Sequence, residues 1–163
     1  MDTGTLIMGV ILIAVVGVPV VFIGRKGNKT KHKLKELVTT AAARENCTIS
    51  EYEIWEDSVI GTDKQNHVVF FVNAANGNHV VQNIHLAEIK SCRSNITGRT
   101  FDSGGRSVRV IDRLSLNFIP KNNKPEIELE FFNAEKGTQL FNELATLEKW
   151  QKIVSEQLSV HTK

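Results

Sequence analysis

The chain has 163 residues and a formal charge of +2 at neutral pH, a length that suits one domain with a real core. Six of its basic residues, Arg25, Lys26, Lys29, Lys31, Lys33 and Lys35, crowd one short run, whereas from Glu36 onward 14 Lys or Arg face 17 Asp or Glu. An acidic body and a basic run with no reading element beside it argue against a nucleic-acid partner, and the two cysteines, Cys47 and Cys92, make neither a disulfide framework nor a metal signature.

Leu6–Ile23 reads LIMGVILIAVVGVPVVFI and carries no charge. As a helix it spans roughly 27 Å, against a bilayer core of about 30 Å. The basic run follows it, and only Asp2 is charged before it. The positive-inside rule then puts everything after the span in the cytoplasm. A signal peptide would carry its positive charges ahead of the apolar run, so the expectation is an uncleaved single-pass anchor in the plasma (inner) membrane. Arg25–Lys35 serves as the topology signal, with anionic lipid as a possible second role. The expected organisation is residues 1–24 as tail and anchor, 25–47 as basic flank and linker helix, and 48–160 as the folded domain.

Leu34, Leu37, Val38, Ala41 and Ala42 recur at helical spacing and predict a helix over His32–Glu45, with Asn46 as its stop. Tyr52, Ile54, Trp55, Val59 and Ile60 favour two strands within Ile49–Asp63, with a turn or bulge near Asp57. His67–Val72 is apolar on both faces, as a central strand is. Asn76-Gly77 is a turn signal, and His79–Ile84 returns as a further strand. Leu86–Ser94 predicts a short strand, with Ile89 and Cys92 inward. Asn95–Gly105, with Gly98, Gly104 and Gly105, reads as a loop.

Ser107–Ile119 is the cleanest period-two segment. Strict alternation places Val108, Val110, Leu114, Leu116 and Phe118 on one face, and Arg109, Arg113, Ser115 and Asn117 on the other. Asp112 interrupts the apolar set. After the polar turn Pro120–Pro125, Ile127, Leu129 and Phe131 alternate with Glu126, Glu128 and Glu130. Thr138–Leu158 predicts a closing helix with Leu140, Leu144, Leu147, Val154 and Leu158 in one stripe, flanked by Phe141 and Trp150.

About seven antiparallel strands followed by a helix that carries Trp150 resembles the pleckstrin-homology-like fold, a partly open β-barrel capped by a C-terminal helix. With the anchor, the arrangement also resembles small bacterial membrane proteins. The resemblance implies a binding or scaffolding module for a lipid, peptide or protein. Lipid-binding members place basic residues at the first hairpin, and here Lys64 is the lone basic residue between Cys47 and Asn66, against Glu51, Glu53, Glu56, Asp57 and Asp63. Two functions follow: a membrane-tethered cytoplasmic module for a protein partner, or a binder of anionic lipid or an acidic ligand at the inner leaflet.

No HExxH, CxxC, phosphate-binding glycine loop or G-x-S-x-G elbow occurs. No catalytic residue, metal ligand or cofactor is therefore expected. His67 and His79 could meet across a hairpin, or be separate surface histidines. Trp55 is either an exposed recognition residue or core packing. The remaining candidates are Arg99, Arg106, Arg109 and Arg113, a basic concentration inside the acidic domain, with Arg93 just upstream. They either grip a carboxylate or phosphate of a ligand or partner, or pair with Glu126, Glu128 and Glu130 on the next strand.

Overall fold

A computed structural model describes residues 29–74, 78–122, 124–136 and 139–160. A helix over residues 29–44 (α1) comes first. It ends at Asn46, whose φ of 54° is the left-handed geometry of a helix C-terminus. The Cys47 N–H closes the end on the Ala42 carbonyl at 2.9 Å. Strands β1 (Glu51–Trp55), β2 (Ser58–Asp63), β3 (Val68–Asn73) and β4 (Val80–His85) follow. They form one antiparallel sheet in the order β1-β2-β3-β4. A single 3-10 turn, Leu86–Glu88, leads into β5 (Ile89–Ser103), β6 (Arg106–Pro120) and β7 (Ile127–Asn133), a second antiparallel sheet in that order. The closing helix α2 runs over Glu143–Val160.

The β2 and β3 residues are apolar in both parities because their sheet is covered on both sides. Ile60, Val69 and Phe71 face the second sheet and α2, in one core with Leu114, Leu116, Phe118, Leu129, Leu147, Trp150 and Val154. Val59, Val68, Phe70 and Val72 face the other way, onto Leu34, Val38 and Ala42 of α1. Trp55 joins the two sheets: its indole N–H donates to the Phe131 carbonyl at 3.1 Å, and its ring stacks on Phe131 at 4.6 Å. It is core packing. Trp150 lies in the middle of the buried stripe of α2 rather than beside it, fully buried.

The two sheets are open. Among the described residues no ladder joins one sheet to the other, so the expected partly open barrel is corrected to two separate sheets packed through side chains. Among the described residues, too, no helix is long and apolar enough to cross a membrane. Both helices bury one stripe against the sheets and leave charged residues such as Lys33, Arg44, Lys149 and Lys152 outside, a pattern made by packing on a protein core. The predicted span Leu6–Ile23, with Arg25 and Lys26, lies outside the described residues. The single-pass inner-membrane placement, the bilayer and anionic-lipid partners and the membrane-tethered role are therefore withdrawn. Lys29, Lys31, Lys33 and Lys35 are exposed on α1. The Lys35 ammonium lies 5.4 Å from the centre of the Tyr52 ring, which ties the helix to β1.

Three further readings are decided, the second of them in favour of separate histidines. Asn95–Gly105 is strand rather than loop, up to a two-glycine turn. His67 sits at the β4 end of its hairpin, where Val68 pairs with His85, while His79 precedes Val80 at the opposite end, so the two histidines do not meet. The third concerns the parity of β6 and is central to the site.

Candidate functional site

β5 and β6 are each fifteen residues long, but β7 pairs only with Arg113–Phe118 of β6. Beyond that point the two strands continue alone as a ribbon, paired from Gly98↔Ile111 to Ser103↔Arg106. Gly104 and Gly105 close it with φ of 59° and 79°, the two left-handed residues that a tight hairpin turn requires. This ribbon is an arm standing out from the domain.

The arm starts at a β-bulge. Thr97 pairs with Arg113 and Gly98 with Ile111, so Asp112 is the extra residue. A bulge shifts the side-chain alternation by one. Asp112 and Arg113 consequently both turn outward. Leu114, Leu116 and Phe118 stay in the core, fully buried, whereas Val108 and Val110 are 47% and 42% exposed. Strict alternation had placed all five together. Asp112 was the visible signal, because the polar residue that interrupts the apolar set is the bulge itself. Gly98 makes the bulge possible: a Cβ there would lie 2.4 Å from the Val110 carbonyl oxygen.

The outer face of the arm therefore carries Arg99 opposite Val110, Phe101 opposite Val108, and Arg106 at the turn. Phe101 is 49% exposed, so three half-exposed apolar side chains lie side by side between arginines. The Arg99 guanidinium holds Asp112 through both carboxylate oxygens at 2.8–3.0 Å, and stands 5.7 Å from the Phe101 ring centre. That bidentate pair raises the Arg99 pKa and fixes its side chain along the face.

The four candidate arginines thus separate. Arg113 is spent on Glu128 at 3.4 Å and Glu130 at 3.0 Å, as Arg93 is on Glu126 at 2.8 Å. Arg99 is spent on Asp112. Arg106 and Arg109 are exposed, and among the described residues neither has an ion pair. They lie on opposite faces of the ribbon. Arg109, opposite Thr100, shares its face with Ile111, and the bulge separates it from Arg113. What sequence reasoning missed are Phe101, Val108 and Val110, which it assigned to a loop and to the core.

At the root of the arm an open hollow of ≈ 430 Å³ is lined by Arg99, Asp112, Ala134 and Glu135. Its two carboxylates against one guanidinium leave it anionic. Among the described residues no group of three or more His, Cys, Asp or Glu side chains could hold a metal ion.

No protein family, no curated protein and no solved structure matches the chain. The pleckstrin-homology-like reading is accordingly corrected: the order of elements, Trp150 and the short strand entered at Leu86–Lys90 carried it, whereas no solved structure matches and among the described residues the strands form two separate open sheets.

Proposed function

We propose that this domain is a protein-docking unit whose working part is the β5–β6 arm. The observation that carries this reading is the outward face of the arm: Phe101, Val108 and Val110 are exposed together, beside an oriented Arg99 and an Arg106 that has no ion pair among the described residues. Aromatic and arginine side chains around a small apolar centre are the composition of protein–protein contact regions. The energetics point the same way. An isolated two-stranded ribbon is marginal in water, and three apolar side chains left in solvent forgo the burial that would stabilise it. A glycine at the bulge turns these side chains outward, so their exposure follows from local chain geometry. In this role the domain presents a surface and carries out no reaction.

A photo-crosslinking side chain at Val108 tests the reading, with the same group at Lys152 on the exposed side of α2 as control. The expected result is a discrete protein adduct from Val108 that disappears when Val110→Asp is added. An arm that yields no protein adduct, or only the adducts of the Lys152 control, overturns the reading.

A further inference from the structure

We infer that the arm's partner is a second copy of this chain, bound face to face with the two arms antiparallel. This rests on the docking reading above and names its partner.

Charge is ordered along the outer face of the arm. Arg106 stands at the tip. The apolar residues Phe101, Val108 and Val110 occupy the middle. At the root Asp112 is held by Arg99, and Glu135 beside the pair leaves the hollow with a net negative charge. A face that is cationic at one end, apolar in the centre and anionic at the other is complementary to itself once reversed. Residue spacing sets the axis. Arg106 and Asp112 are each three positions from Arg109, and Val108 and Val110 are each one position from it. A two-fold axis through that position lays the tip arginine of each copy over the acidic root of the other, and Val108 of one copy on Val110 of the other. The tip and root are six residues apart, about 20 Å along a strand, and packed sheets stand about 10 Å apart. An arginine side chain bridges such a gap to a carboxylate. The arrangement is closed and isologous, as in most homodimers.

Nearby charges do not spoil the match. Arg113, Glu128, Glu130 and Lys136 are already paired among themselves, Arg99 on the same face is taken up by Asp112 and leaves Glu135 as the net charge of the root, and Arg109 lies on the far face. Over residues 97–113 there are four arginines and two aspartates, while the rest of the chain has 16 basic and 16 acidic residues. The arm thus carries the net positive charge of an otherwise balanced chain, and the attraction between a tip and another copy's root is a local one.

Sedimentation of the full chain over a hundredfold concentration range tests this. The expected result is a monomer–dimer equilibrium. Val108→Asp abolishes it, and Arg106→Glu and Asp112→Lys each weaken it about tenfold, a change of about 1.4 kcal/mol. An equimolar mixture of the two charge variants recovers association through the reversed pair. Because Asp112→Lys also releases Arg99, Glu135→Lys on its exposed turn repeats the test without altering the bulge. A chain that stays monomeric, or a dimer indifferent to Val108→Asp, overturns the inference. In either case an arm adduct to a different protein leaves the docking reading standing. The absence of any protein adduct at Val108 removes both.

Discussion

Gly98 decides where the arm begins. Any side chain there would meet the Val110 carbonyl at 2.4 Å and the Ile111 Cα at 3.2 Å, both backbone atoms that cannot swing aside. Gly98→Ala should therefore cost about 1–3 kcal/mol, as overpacking does, and it should loosen the arm before the core. Hydrogen exchange of the 99–111 amides checks this: faster exchange there, with core amides slowed as in the parent chain, is the expected pattern. Asp63 plays a comparable part in the first sheet. Its carboxylate accepts hydrogen bonds from the backbone N–H groups of Thr48, Gln65 and Asn66 and from the Asn66 side chain, all at 2.7–2.9 Å. Burial alone would raise its pKa, but these donors outweigh it and hold the group at about 2. A depressed carboxylate contributes stability above its unfolded pKa and loses it as pH falls through the folded value. The melting-temperature advantage of the parent chain over Asp63→Asn should thus be full at pH 5 and shrink between about pH 4 and pH 2. A gap constant across that range would show that the hydrogen bonds do not distinguish the charged carboxylate.

At the scale of elements, the parity change in β6 gives a sharp contrast. Leu116 and Val110 lie on one face by strict alternation, yet the bulge at Asp112 buries the first and exposes the second. Leu116→Ala should destabilise the chain by about 2–5 kcal/mol, while Val110→Ala stays within about 0.5 kcal/mol. Equal losses in chemical denaturation would restore the unbulged register. The same bulge marks what could be read in advance. β2, β3 and the part of β6 beyond Asp112 were legible because burial on one or both faces writes itself into residue type. The helix end at Asn46 was legible because few residues accept positive φ. The distal half of β5 was not, since NITGRTFDS holds polar and glycine residues that propensity assigns to loops. It is strand because β6 pairs with it across a two-residue turn, a contact between segments that no local pattern contains. Of the candidate site, the arginines were visible as a cluster, but the apolar centre was hidden by a shift of one residue. The predicted helix Thr138–Leu158 starts later than expected: Leu140, Phe141 and Asn142 precede α2, which begins at Glu143, and Thr138 lies outside the described residues. The Glu143 carboxylate accepts the Phe141 N–H at 2.6 Å, and a buried acceptor facing back from the first turn is a helix-start arrangement.

For the molecule as a whole, the connections between layers determine how it unfolds. The first sheet is joined to α2 by polar contacts as well as by the core. Glu53 on β1 accepts from Lys149 at 2.8 Å, from the Trp150 indole at 3.1 Å and from the Thr146 hydroxyl at 3.1 Å. Burial works against its ionisation, and these donors outweigh burial and lower its pKa. At the other end of the helix, Gln157 meets the buried Thr62 hydroxyl at 3.3 Å. The second sheet is joined to the first through Trp55 and Phe131. Neither sheet can separate from the helix without breaking a buried polar contact and opening the shared core. α1 covers the far side of the first sheet with Leu34, Val38 and Ala42, all essentially buried, so detaching it would expose Phe70 and Val72 to water. Cooperative loss of the whole unit is therefore the expected behaviour. Tryptophan fluorescence, which reports Trp55 between the sheets and Trp150 under α2, should follow the same denaturant midpoint as far-ultraviolet circular dichroism. Glu53→Ala should shift both midpoints downward together, because it removes the acceptor of a buried indole N–H, a loss of about 1–3 kcal/mol. A fluorescence midpoint that moves while the circular-dichroism midpoint stays would mean that α2 can undock by itself, and that the two sheets and their helix are not one folding unit.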